Sequence, residues 1–220
     1  MEPSEKQAMV RDIALQIFLI LLFIFTFLAM HGLPQRLFAF AKLRLRNRNR
    51  ASLQAKGHFV KGAQLLAQAK RSNSTSLAKQ ALAEAEKAIA LDPKDAASYL
   101  LKSMALDLQG FRTSALDALD AALSPLAARS LADNEKGDAL LKRAELKIAM
   151  SQDHHVDSAL ADLTESVKLS PRNAKAWCLL GECYEGNKME DEARKAYKEA
   201  LELEPRFNVA QEALSRLASS

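Results

Sequence analysis

Two cysteines, seven glycines, six prolines and one tryptophan are all that this chain of 220 residues holds of those four types. Each scarcity excludes something. Cys178 and Cys183 lie five positions apart, too few and too close for a disulfide framework, and no second ligand pair accompanies them for a structural zinc site. They are expected as small apolar fillers. Few glycines and prolines, with no alternating apolar pattern, argue against a turn-rich β architecture. A glycine-rich phosphate loop, a nucleophile elbow and a paired metal motif are all missing, so neither an enzyme nor a bound cofactor or metal is expected. The histidines add little: His154-His155, between Asp153 and Asp157, suits a surface loop, while His31 and His58 stand alone.

Negative charge is missing over a long interval. No Asp or Glu occurs between Asp12 and Glu84, where eleven Lys and Arg fall; from Glu84 onward 18 basic residues face 24 acidic ones, a balance of −6. The net charge of +4 therefore conceals a basic first third joined to a mildly acidic remainder. The densest basic run is Leu43-Arg44-Leu45-Arg46-Asn47-Arg48-Asn49-Arg50. No aromatic residue interleaves it, which weighs against nucleic acid as a partner.

Ahead of that run, Ile13 to Met30 is uncharged, with only Gln16 and Thr26 polar. As a helix it would reach about 27 Å, close to the hydrocarbon thickness of a bilayer. The apolar core is longer than that of a signal peptide, and a dense basic flank follows it. These features predict a transmembrane helix over 13–30 after a short tail, 1–12. The charge bias predicts a single-pass membrane protein with the bulk of the chain in the cytosol, on the endoplasmic reticulum or on a mitochondrial or plastid outer membrane. The basic linker, 31–61, would then contact lipid headgroups.

What is abundant is alanine, leucine, lysine and glutamate, a composition that favours helices. Between Ala174 and Phe207 the pattern becomes specific: Trp177, Leu180, Gly181, Tyr184, Ala193, Tyr197, Ala200 and Pro205. Gly181 and Ala193 suit a close helix crossing, the aromatic residues suit the space between helices, and Pro205 stops the second helix. This segment resembles a tetratricopeptide repeat.

Stepping back by 34 residues recovers weaker copies. Gly62–Asp95 has Ala69, Ala81, Ala88 and the stop Asp92-Pro93; Ala96–Arg129 has Tyr99, Gly110 at a turn, Ala115, Leu119, Ala122 and an early Pro125. A third copy, 137–173, has Leu140, Ala144, Ala159, Leu163 and Pro171, with extra residues around Leu131–Lys136 and Ser151–Val156 expected to lengthen loops. Ala210, Leu214 and Leu217 share one face of a final capping helix, 208–220. The fold expected is all-α: a solenoid of about four helical hairpins (62–95, 96–129, 137–173, 174–207) and a cap, after one membrane helix.

The resemblance implies a peptide-binding groove lined by the first helix of each hairpin. Its fifth position falls on Leu66, Leu100, Leu141 and Cys178, an apolar row; its ninth falls on Lys70, Met104, Glu145 and Glu182, running from basic to acidic. Asp107 and Glu185 would add negative charge at the twelfth position, with Asp138 and Lys175 at the second. The clamp by which one subgroup holds acidic chaperone tails is absent: Leu66 and Lys70 stand where it needs Lys and Asn, and Leu101 where it needs a second Asn. Lys142 and Lys175 are expected as solvated charges. The function implied is a membrane-anchored protein–protein interaction module that binds an apolar or amphipathic peptide, its positive charge towards Glu145 and Glu182. The alternative function is an auxiliary subunit or receptor of a membrane protein import or translocation complex. The apolar row could equally be covered by the chain's own Ala51–Val60 or by a second copy.

Overall fold

The computed structural model describes residues 3–30, 33–150 and 156–219. Every regular element among them is helical: α1 (Pro3–Met30), α2 (Leu33–Ser72), α3 (Thr75–Leu91), α4 (Ala96–Leu108), α5 (Arg112–Ala122), a 3-10 turn (Ala128–Ser130), α6 (Asp133–Ala149), α7 (Val156–Leu169), α8 (Ala174–Gly186), α9 (Glu190–Leu203) and α10 (Asn208–Ser219). The chain divides into two compact units, Met1–Ala51 and Ser52–Ser220.

In the second unit the helices end where local chemistry ends them. Ser74, Asp95 and Asn173 cap α3, α4 and α8 by accepting the N–H groups of Leu77, Ser98 and Ala176. Pro93, Pro171 and Pro205 follow the ends of α3, α7 and α9. The α4–α5 turn needs a left-handed residue and has Gly110 (φ +85°); the same position of the last hairpin holds Lys188 (φ +61°), a side chain that conformation disfavours.

Three glycines set how closely the hairpins close. A Cβ on Gly62 would lie 2.8 Å from a Leu101 methyl, on Gly137 2.7 Å from the Ser170 hydroxyl, and on Gly181 2.7 Å from the Tyr197 ring. Around these crossings run stacked cores: Leu66 with Ala81, Ala85 and Leu101; Leu141 and Ala144 with Leu163 and Leu180; Tyr197 with Ala193, Ala210 and Leu217. The last core includes the capping helix, whose Gln211, Glu212 and Ser215 stay exposed. The helical repeats and their cap are thus a tetratricopeptide-type α-solenoid.

The insert around Leu131–Lys136 does not simply lengthen a loop. Part of it becomes the first turn of α6, which has 17 residues against 13 in α4 and in α8. The Glu135 carboxylate accepts the Ala132 N–H at 2.9 Å, and the Ser170 hydroxyl donates to the Asn134 carbonyl at 3.0 Å, so the added turn is capped and held by α7. The other insert, with His154 and His155, lies outside the described residues. So does the expected boundary at 61/62 have no counterpart in the backbone, because α2 continues unbroken across it.

The first unit overturns the membrane expectation. Among the described residues no helix is long and apolar enough to cross a membrane. The transmembrane helix expected over 13–30 therefore has no support. The single-pass assignment, the cytosolic orientation derived from it, lipid as a partner and the import-complex alternative lose their basis together. Residues 11–27 are all exposed, and so are Lys42, Leu43 and Arg50.

Candidate functional site

The first helices of the hairpins in the second unit are the C-terminal part of α2, then α4, α6 and α8. On α4, Asp95 accepts from both the backbone N–H (3.2 Å) and the hydroxyl (2.5 Å) of Ser98, while the Ala96 N–H donates to the Ser130 hydroxyl at 3.0 Å. These bonds fix the rotation of α4. Ser98, Leu101 and Ala105 are buried, and Leu100 and Met104 are left half-buried on the adjoining strip.

That strip floors a cavity of about 600 Å³. From α2 come Phe59, Ala63, Leu66 and Lys70; from α6 come Glu135, Asp138 and Lys142. Four of the eight residues expected in the groove therefore meet here: Leu66, Lys70, Leu100 and Met104. Leu66 itself is only 5% exposed, so it supports the wall more than it offers surface. Another cavity, of about 630 Å³, lies at the α7–α8 turn, lined by Asn134, Pro171, Arg172, Lys175 and Leu203.

The other four expected residues lie elsewhere. Leu141 belongs to the core that α6 forms with α7 and α8, and Cys178 to the core under α10. The fifth positions therefore do not form one exposed apolar row. Burial pushes the Cys178 thiol up to about 12 and that of Cys183 up to about 11, as suits unreactive fillers. Glu145 is neutralised: it accepts Lys175 at 2.6 Å and lies 3.4 Å from Lys142, which bonds Asp107 at 2.8 Å. Burial opposes the Lys142 charge, yet the hydrogen bond it donates to Asp107 holds its pKa above the ordinary value. Lys142 is thus paired and largely covered, while Lys175 is paired but stays exposed to solvent. Glu182 remains exposed, and desolvation beside Cys178 raises its pKa.

Glu185 has a structural partner set. It accepts the Tyr197 hydroxyl at 2.9 Å and the Arg216 guanidinium at 3.0 and 2.9 Å, tying α8 to α9 and α10; the Arg216 bond holds its carboxyl below the usual range. Trp177 is half-buried and its indole N–H donates to the Pro171 carbonyl at 2.9 Å, while Tyr184 packs against the same cores as Trp177.

Sequence reasoning missed Phe59, which it placed in a linker. One signal was available: Phe59 precedes Leu66 by seven residues, two helical turns on the same face. Because Ala51–Val60 continues directly into the helix that carries Leu66, it extends the wall and does not fold back over it.

Residues 174–207 match the family model of the tetratricopeptide repeat. Similar solved structures include MamA (25% identity over 70% of this chain and 78% of that one, TM-score 0.50) and YrrB, a tetratricopeptide-repeat protein with an unusual peptide-binding site (21%, 70% and 75%, 0.54). Pseudomonas aeruginosa pilF aligns over 78% of this chain and 69% of its own at 17% identity, with a TM-score of 0.60. No curated protein matches the chain.

Proposed function

We propose that this helical protein of the tetratricopeptide-repeat family acts as a protein–protein interaction module, and that it takes an apolar or amphipathic peptide segment into the cavity between α2, α4 and α6. The observation that carries the proposal is the floor of that cavity. Phe59, Leu100 and Met104 are only half-buried and turn towards a common space of about 600 Å³, large enough for one or two bulky side chains. Apolar surface gathered in a concavity is what a ligand side chain would cover, at about 25 cal/mol per Å² removed from water.

The eight positions first assigned to the groove then divide by task. Leu100, Met104 and Lys70 would touch the ligand and Leu66 would back them. Leu141 and Cys178 would hold adjacent repeats together. Glu145 would join them through Lys142 and Lys175, and Glu182 would stay outside the binding surface.

The test uses the full chain and synthetic 12-residue peptides that carry a central Leu-Phe pair on a soluble background, with binding read by fluorescence anisotropy. Leu100→Asp and Met104→Asp are expected to lower affinity at least tenfold while circular dichroism stays unchanged. Glu182→Lys, outside the cavity, is expected to leave affinity alone. Binding that survives both Asp substitutions would refute the site.

A further inference from the structure

The two walls of the cavity carry opposite charge, and their partners differ in kind. On the α2 side Lys70 is exposed; α2 contains no acidic residue, and no ion pair with Lys70 occurs among the described residues. On the α6 side Glu135 and Asp138 are both exposed. Their described partners are neutral donors: the Ala132 N–H at 2.9 Å and the Asn173 side-chain amide at 3.1 Å. Among the described residues that line the cavity, Lys142 is the cation on that wall, and it is engaged by Asp107 and Glu145. An apolar floor therefore lies between one lip with unmatched positive charge and another with unmatched negative charge.

We infer, resting on the peptide-binding proposal above, that the ligand is a dipolar segment: a bulky apolar side chain on the Leu100–Met104 floor, flanked by a carboxylate facing Lys70 and a cation facing Glu135 and Asp138. A segment with acids on both flanks leaves the α6 lip facing like charge, and one with bases on both flanks does the same to Lys70. A dipolar segment satisfies both lips in one orientation only, so the charge pattern fixes which way the ligand runs. Exposed pairs contribute modestly to affinity, and their main effect is on register and choice of partner.

The experiment takes four 12-residue probes with the same Leu-Phe centre: Glu before and Lys after, Lys before and Glu after, Glu on both flanks, and Lys on both flanks. Anisotropy is read with the full chain at low salt and at 0.5 M salt. One of the two dipolar probes is expected to bind about fivefold more tightly than the other three, with most of that preference lost at high salt, as for exposed charge pairs. The triple variant Lys70→Glu, Glu135→Lys, Asp138→Lys is expected to exchange the two dipolar probes. Because Glu135 caps α6, the pair Lys70→Glu, Asp138→Lys is measured alongside and is expected to shift the preference in the same direction.

Equal affinity for all four probes, with binding still lost in Met104→Asp, would overturn the dipolar inference and leave the groove standing. A preferred dipolar probe that the charge-reversed variants do not exchange would also overturn it. Failure of every probe to bind would overturn both.

Discussion

The same repeat positions behave oppositely in the two halves of the stack. Between α2, α4 and α6 the fifth-position Leu100 and the ninth-position Lys70 and Met104 open onto a cavity, with the fifth-position Leu66 buried behind them. Between α6, α8 and α10 the equivalent Leu141 and Cys178 are 7% and 3% exposed, and the ninth-position Glu145 lies inside a chain of ion pairs from Asp107 to Lys175. The difference comes from what packs alongside. Leu141 meets α7 and α8, and Cys178 meets the capping helix, so each becomes core. Leu100 packs against two neighbouring cores, and its remaining side faces the cavity lined by α2 and α6. A repeat position assigns a direction from the helix axis; the next helix decides whether that direction is surface.

The two halves also close their hairpins differently, and the largest predicted effect breaks the closed half. Tyr197 is fully buried over Gly181 and donates to Glu185. Tyr197→Ala is expected to lower stability by about 3–5 kcal/mol, the range for deleting a buried aromatic. In a stack whose repeats contact mainly their neighbours, the loss should be local. Hydrogen exchange should rise across α8–α10 well before α2–α6, and Cys178, 3% exposed in the native protein, should become open to a thiol reagent. Uniform loss of protection along the stack would show that the halves are not separable.

The open half is pinned by charge instead. Glu84 is 5% exposed and binds His58 at 2.6 Å, Lys87 at 2.9 Å and Lys61 at 3.0 Å, which joins α3 to α2. The hydrogen bond with His58, then those from Lys87 and Lys61, lower the Glu84 pKa to about 2 from 4.5. Because the folded value is depressed, the stabilisation is complete above about 4.5 and is lost as pH falls towards about 2. Glu84→Gln is expected to lower stability at pH 7 by about 1–2 kcal/mol, since the lysines it releases return to water. It should also flatten the acid limb in urea titrations between pH 5 and pH 2.5. An unchanged acid limb would mean that other carboxylates control it.

Two smaller effects sharpen the contrast. Lys188 occupies the left-handed turn position that Gly110 fills in the second hairpin, so Lys188→Gly should raise stability by about 0.5–1 kcal/mol in thermal melts. Lys175→Ala removes one link of the ion-pair chain. With Lys175 63% exposed, the change should stay below about 0.5 kcal/mol and vanish in high salt. A larger effect would show that the charge chain, rather than burial, closes that half.

Much of the architecture was legible in advance because its signals are local. Gly181 opposite Tyr197, the stops at Pro93, Pro171 and Pro205, and the Ala210–Leu217 face are matters of spacing along one or two helices. The candidate site was only half legible. Leu66, Lys70, Leu100 and Met104 meet as the repeat register implies, while Phe59 was hidden because the chain around it is basic and polar. Nothing near Glu145 in sequence shows that Lys175, thirty positions on, comes within 2.6 Å of it. The apolar stretch at 13–30 illustrates the opposite error: hydropathy alone implied a membrane span, yet among the described residues no helix is long and apolar enough to cross a membrane.

By itself, the sequence determined that the chain is helical, where most helices stop, and which small residues allow hairpins to cross. These follow from 3.6-residue periodicity, capping and proline sterics, all of which act within a few residues. Only the tertiary structure decided that α2 runs unbroken through the expected start of the repeats and that the α6 insert becomes helix. It also decided that the groove stays open between α2 and α6 but is filled towards α10. Those outcomes depend on how each helix is rotated against neighbours some 30 residues away, where hydrogen bonds such as that from Ala96 to Ser130 and steric limits such as Gly137 against Ser170 set the angle.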